Sequence, residues 1–186
     1  SKGDDQFPAT APQYIERAKG CRVYDAEGRG YIDWMMGLRS APLGYGHAAV
    51  LEAVQDQIAK GPNFSRPSQL EAQVVHKLLS FVPQHDMVKF AKNGSNVTTA
   101  AVKLARAYTG RDLVLCCSDH PFFSFDDWFI GSTACSLGVP DATKSLTKTF
   151  KYNDLARLEQ LFENHKGHVA CPVPSTHLTM PTKRKE

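Results

Sequence analysis

No apolar run in the 186 residues approaches the ~20 that a membrane-spanning helix needs, so a membrane partner is not indicated. The stretch Ser1–Asp5 is polar and acidic, without the apolar core of a secretory signal. Cysteine is sparse. Cys21, Cys116, Cys117, Cys135 and Cys171 make an odd set with no CxxC pair, which argues against a disulfide framework and a thiolate zinc site. The seven histidines show no metal-ligand spacing with carboxylates, and no metal is expected. Charge of one sign is lacking too. Lys plus Arg is 22 against 19 for Asp plus Glu, and the excess gathers at Lys183, Arg184 and Lys185 as a solvated end. Nothing here makes a nucleic-acid stripe. Gly-x-Gly-x-x-Gly and Gly-Lys-Ser/Thr are both absent, so neither a dinucleotide nor a nucleoside triphosphate is supported.

What is present is ordinary globular composition, 42% apolar and 22% charged, with a mean hydropathy of −0.34. With reduced cysteines, this points to a cytoplasmic protein. Residues 21–25 and 31–35, separated by a glycine-containing polar turn, read as a β-hairpin. The turn Leu43-Gly44-Tyr45-Gly46-His47 leads into a helix with Val50, Val54 and Ile58 on one stripe, stopped by Gly61-Pro62. Ser68-Gln69-Leu70-Glu71 is a capping box opening a second amphipathic helix through Leu70, Val74, Leu78 and Val82.

Residues 87–90 then predict a strand, followed by the loop Asn93-Gly94-Ser95-Asn96. A third helix puts Val97, Ala101, Leu104, Ala105 and Tyr108 on its apolar side, with Gly110 as C-cap. The strand Leu113–Cys117 would complete a βαβ unit, with Cys116 and Cys117 buried in it. Residues 147–152 predict another strand. A helix capped by Asn153 or Asp154 and a strand from His168 follow, after which Pro172, Pro174 and Pro181 argue against a continuous helix or a central strand. The alternation means α/β with a mainly parallel sheet.

Two features could carry chemistry. A helix N-terminus behind Asn93-Gly94-Ser95-Asn96 presents unpaired amides and a partial positive charge, which suit a phosphate. The local pattern alone favours the simpler reading, in which Ser95 or Asn96 is a helix cap. The aromatic run from Asp119 to Phe129 falls just after a parallel strand, where open α/β sheets bind ligands. It could stack on a flat cofactor or pack at a domain or subunit contact.

Together the segments from Phe7 to Cys171 resemble the pyridoxal-phosphate-dependent class III aminotransferases, especially the branch with glutamate-1-semialdehyde aminomutase. Arg17-Ala18-Lys19-Gly20, Tyr24-Asp25-Ala26-Glu27-Gly28 and Tyr31-Ile32-Asp33 look like the family's opening hairpin. Leu43–His47 is similar to its LGH turn, Pro67–Glu71 to its PTxLE helix start and Lys89–Asn96 to its RFxNSGTEA segment. Leu104–Asp112 is close to LARxxTGRD.

The resemblance implies a fold-type-I large domain with pyridoxal 5′-phosphate as cofactor and an N-terminal β-hairpin segment. It implies that Gly94 and Ser95 hold the cofactor phosphate, with Asn96 beside them where the family carries glutamate. Phe122 would stack on the pyridine ring in place of the family's tyrosine, and Phe123 stands for its histidine. Arg39 and Ser65 lie in segments that approach substrate or the neighbouring subunit's cofactor in relatives. The domain reading is residues 1–60 as an N-terminal segment, 61–171 as an incomplete cofactor-binding domain and 172–186 as an irregular basic tail.

The implied activity is amino-group transfer through a cofactor imine, with a small-molecule amino donor or acceptor and a homodimeric full-length form. The Schiff-base lysine and the acid that pairs with the pyridine nitrogen belong to a part of the family beyond Glu186, so no catalytic residue is assigned within the chain. Lys148 reads as a surface residue. The expectation for the chain by itself is an unfinished sheet with exposed apolar edges, marginal or self-associating. The alternative reading is a truncated, non-catalytic binding or interaction module of the same fold.

Overall fold

The computed structural model describes residues 11–119 and 123–173. They fall into two compact units, Ser1–Pro83 and Gln84–Glu186.

In the first unit β1 (Ile15–Lys19), β2 (Arg22–Asp25) and β3 (Gly30–Ile32) form an antiparallel sheet in sequence order. The hairpin β2–β3 follows the predicted alternation, and β1 adds a third strand that the sequence pattern did not reveal. The hairpin is held from inside. Asp25, only 3% exposed, accepts from the Arg29 amide (2.8 Å), Arg29 Nε (2.7 Å) and the Tyr31 hydroxyl (2.9 Å). Gly20 and Tyr45 exchange two backbone hydrogen bonds of 2.8 Å, pinning the glycine turn to the sheet. Gly44 sits at φ +87°, and an added Cβ there would lie 3.1 Å from the Gly20 carbonyl oxygen.

Between the hairpin and that turn, α1 (Met36–Arg39) is a single left-handed turn, with positive φ at Met36, Gly37, Leu38 and Arg39. Asp33 fastens it by accepting from the Met35 and Gly37 amides, both at 2.9 Å, and from the Tyr45 hydroxyl at 2.6 Å.

Helices α2 (Ala48–Lys60) and α3 (Gln69–Phe81) have the predicted bounds. Ser68 and Glu71 form the reciprocal capping box, which satisfies two orphan amides of the first turn. Neither helix buries any residue, and Val50, Val54, Ile58, Leu70, Val74 and Leu78 all remain 40–59% exposed.

The second unit is a parallel three-stranded sheet in the order β5 (Thr147–Phe150), β4 (Leu113–Cys117), β6 (Val169–Val173). Strand β4 is buried along its whole length because both faces are covered. Its alternate residues Val114 and Cys116 pack with Val102 of α4 (Gly94–Thr109) and with Trp128 and Phe129 of α5 (Asp127–Ile130). Leu113 and Leu115 point the other way, onto Leu161 of α7 (Leu155–Asn164) and Val169. The short α6 (Asp141–Ser145) leads into β5. Asp154, rather than Asn153, caps α7 by accepting from the Arg157 amide at 2.9 Å.

Two expectations are corrected. Residues 87–90 form no strand, so the βαβ unit lacks its first member. A strand exists only through a neighbour's hydrogen bonds, and among the described residues none runs beside this segment, leaving Met87 88% exposed. Helix α4 buries a different face from the apolar stripe. Val102 is 2% exposed, whereas Val97, Leu104 and Tyr108 are 46%, 70% and 90% exposed. Val102 is the one residue of α4 that is fully buried, and Ser95, Thr99 and Arg106, at helical spacing from it, are partly buried. Pro172 lies inside β6, opposite Leu115, in an edge strand rather than the central one that the prolines argue against. That is tolerated because β6 has a partner on one side only among the described strands. Lys148 lies in β5 and is partly exposed.

Candidate functional site

The site is assembled in the second unit from the start of α4 and the loop after β4. Asn93 caps α4: its backbone is extended and its side chain accepts from the Asn96 amide at 3.0 Å. Neither Ser95 nor Asn96 is the cap. The Asn96 amide is therefore occupied, and the Val97 amide bonds to the Asn93 carbonyl at 3.2 Å. The Gly94 and Ser95 amides have no acceptor among the described residues. A 16-residue helix thus presents two free donors and the positive end of its dipole at one point. These groups fit a phosphate monoester, which supplies several anionic acceptors.

The Ser95 hydroxyl donates to the carbonyl of Phe123 at 3.3 Å, across 28 residues of sequence. This contact brings the aromatic loop to the mouth of α4. Phe123 meets Phe125 edge-on at 5.1 Å between ring centroids and Phe129 at 6.3 Å. A cleft of about 360 Å³ opens among Phe123, Phe129, Ser118, Thr149 and Cys135, at the carboxyl ends of β4 and β5. That is the edge where parallel sheets hold ligands. The loop is braced from behind. Asp119 accepts from the Tyr152 amide at 3.1 Å, and the Ser118 hydroxyl donates to the Phe150 carbonyl at 3.2 Å.

Of the residues marked from sequence, Gly94, Ser95 and Asn96 stand together at this mouth. Phe122 lies outside the described residues, and its neighbour Phe123 is the ring whose backbone touches Ser95. Arg39 and Ser65 are both exposed and belong to the first unit, Arg39 closing the left-handed turn at φ +71°. Sequence reasoning missed the cap Asn93, although an Asn three residues before the amide it caps is a readable signal. It also missed Thr99 and Asp126, whose side chains meet at 2.6 Å across 27 residues, for which no local signal exists.

Two thiols, Cys116 and Cys171, are suppressed as nucleophiles. Burial, with the neighbouring Cys117, pushes the Cys116 thiol up to about 12, and burial also raises Cys171. Among the described residues, no three His, Cys, Asp or Glu side chains are grouped to hold a metal ion. No described helix is long and apolar enough to cross a membrane.

The parallel sheet covered on both faces, the antiparallel N-terminal strands and the helix mouth beside an aromatic loop define part of a fold-type-I aminotransferase. The comparisons agree. A family model described as aminotransferase class-III matches residues 6–170. The FumI protein of Sphingopyxis sp. MTA144, solved in its PLP internal aldimine form, is 31% identical with a TM-score of 0.80, over 89% of this chain and 39% of that one. An omega-transaminase from Sphaerobacter thermophilus is 25% identical with a TM-score of 0.79, over 91% and 42%. A glutamate-1-semialdehyde aminomutase from Pseudomonas aeruginosa PAO1, at 23% identity and a TM-score of 0.68, shares the fold over 90% of this chain and 38% of its own. The chain belongs to the class-III aminotransferase family. It spans about 40% of the length of these solved relatives, between 38% and 42%.

Proposed function

We propose that this chain supplies the phosphate side and one ring-facing side of a pyridoxal 5′-phosphate site in an enzyme that transfers amino groups between small donors and acceptors. The observation that carries the reading is the pair of unpartnered amides at Gly94 and Ser95, set against the aromatic loop by the Ser95–Phe123 hydrogen bond. When bound, the cofactor supplies an electron sink for the pair left as a proton leaves the substrate's α-carbon. This chain's residues bind and orient. The Gly94 and Ser95 amides donate to phosphate oxygens, while the Ser95 hydroxyl keeps its one proton on the Phe123 carbonyl. Asn93 keeps the Asn96 amide engaged, so the mouth keeps its shape before any ligand arrives. Phe122 contributes a ring face, beside the edge-on rings of Phe123, Phe125 and Phe129. Arg39 and Ser65 are assigned to the substrate side. The lysine that relatives use, the choice between transfer and mutase chemistry, and a homodimeric assembly belong to the whole protein and are part of this proposal.

The test is a titration of the full chain with pyridoxal 5′-phosphate, read by tryptophan fluorescence, with inorganic phosphate as competitor. Saturable capture, displaced by phosphate and abolished by Ser95→Asp, is expected, because a carboxylate at the mouth repels the anion. Absence of capture, or capture that phosphate cannot displace, overturns the reading.

A further inference from the structure

Behind the mouth of α4 lies a polar cluster that the binding of phosphate does not explain. The Thr99 hydroxyl donates to Asp126 Oδ2 at 2.6 Å, and the Ser124 hydroxyl donates to the same oxygen at 2.9 Å. The Asp126 amide in turn donates to Ser124 Oγ at 3.1 Å. Trp128 Nε1 donates to Thr99 Oγ1 at 2.8 Å, and the Trp128 carbonyl accepts from the buried Thr147 hydroxyl at 2.6 Å. One carboxylate oxygen therefore gathers α4, the aromatic loop and α5, and through Trp128 reaches β5. Ser124 is fully buried and Asp126 half-buried, and no described cation pairs with Asp126. A buried polar group costs free energy unless bonded, so this cluster is stable in only one arrangement of its members.

The consequence for the site is geometric. Ser95 and Thr99 are one helical turn apart on the same side of α4. Ser95 reaches the loop at Phe123 through a long bond of 3.3 Å, while Thr99 reaches it at Asp126 through a short one of 2.6 Å to a charged acceptor. Hydrogen bonds to a charged partner are about twice as strong as neutral ones. The Thr99–Asp126 bond, not the Ser95–Phe123 bond, is thus the one that fixes where the aromatic loop lies against the helix mouth.

We infer that Asp126 is a positioning residue of the cofactor site, holding the ring-facing loop in register with the phosphate-binding amides of α4; this rests on the function proposed above. It touches neither phosphate nor ring. Its role is to make one ligand satisfy both halves at once.

The test compares two ligands on the full chain. Asp126→Ala removes the shared acceptor, and the loss of charge-assisted bonds weakens pyridoxal 5′-phosphate by about tenfold or more. Affinity for inorganic phosphate, which needs only α4, stays within about twofold of the wild type. Asp126→Asn places one carbonyl oxygen where both hydroxyls donate, and restores most of the cofactor affinity. Thr99→Val, which deletes the hydroxyl at nearly constant shape, reproduces the alanine result and serves if Asp126→Ala does not fold. Asp127→Ala, an equal charge change one residue away, is the control and leaves the ratio of the two affinities unchanged.

Equal cofactor affinity in wild type, Asp126→Ala and Thr99→Val overturns the inference and leaves the proposed function standing. Parallel loss of both ligands also overturns it, because that marks a general structural role. A wild type that captures no pyridoxal 5′-phosphate overturns the proposed function and this inference with it.

Discussion

Gly37 and Leu38 are adjacent in the same left-handed turn, and the structure gives their exchange for other residues opposite signs. Left-handed backbone costs an L-residue roughly 1–2 kcal/mol, because its Cβ crowds the following carbonyl. Gly37, at φ +58°, escapes that cost, and a Cβ added there would lie 2.8 Å from Tyr45 Oη and 2.9 Å from Ser40 Oγ. Both oxygens are engaged, Tyr45 with Asp33 and Ser40 with the Gly37 carbonyl at 2.6 Å. For Gly37→Ala the backbone term and about 1 kcal/mol of crowding are offset by roughly 0.5 kcal/mol from the stiffer unfolded chain. The turn loses about 2 kcal/mol. Leu38, at φ +57°, already bears the left-handed cost and is 80% exposed, so Leu38→Gly loses almost no packing. Relief of about 1–2 kcal/mol, less roughly 0.5–1 for glycine's extra unfolded freedom, leaves the turn more stable by about 0.5–1 kcal/mol.

Amide hydrogen exchange reads the difference locally, at the Met35 and Gly37 amides bound by Asp33 and at the Ser40 and Ala41 amides that close the turn. Exchange at these amides accelerates about thirtyfold in Gly37→Ala and slows about two- to fivefold in Leu38→Gly. Acceleration in both variants would refute the left-handed assignment. It would also remove the reason for placing Arg39 where the turn puts it.

Two further outcomes follow from burial and charge. Val102→Ala empties the cluster beneath α4 and destabilises the second unit by about 1–3 kcal/mol in urea unfolding, whereas Leu104→Ala, at a position 70% exposed, changes it by less than about 0.5 kcal/mol. Equal losses would mean that α4 packs by its apolar stripe after all. The Tyr45 hydroxyl, followed by the Gly37 and Met35 amides, holds the Asp33 carboxyl below its ordinary 3.8. The lowered folded-state pKa means that this stabilisation is complete above the ordinary value and is lost as pH falls below 3.8 through the folded value. Exchange protection of the Gly37 amide therefore drops over that acid range in the wild type, and Asp33→Asn removes the drop while weakening the turn at neutral pH.

Sequence alone determined the features that neighbouring residues settle among themselves. The capping box at Ser68 and Glu71, the bounds of α2 and α3 and the left-handed stop at Gly110 all depend on residues within about four positions. So does the wholly apolar run that becomes β4, and the helix start at Asn93–Asn96 that offers its amides. Only the tertiary structure decided which face of α4 is covered, because Val97 and Val102 have equal claims to burial until a sheet arrives beneath one of them. It alone decided that residues 87–90 stay without a strand partner and that Pro172 sits in one, since pairing is a property of two segments. The joining of Ser95 to Phe123 and of Thr99 to Asp126 spans 28 and 27 residues, and no periodicity or motif encodes such closures. They form because β4 and the loop behind it carry those groups to the helix, where a hydroxyl finds the acceptor that burial obliges it to have.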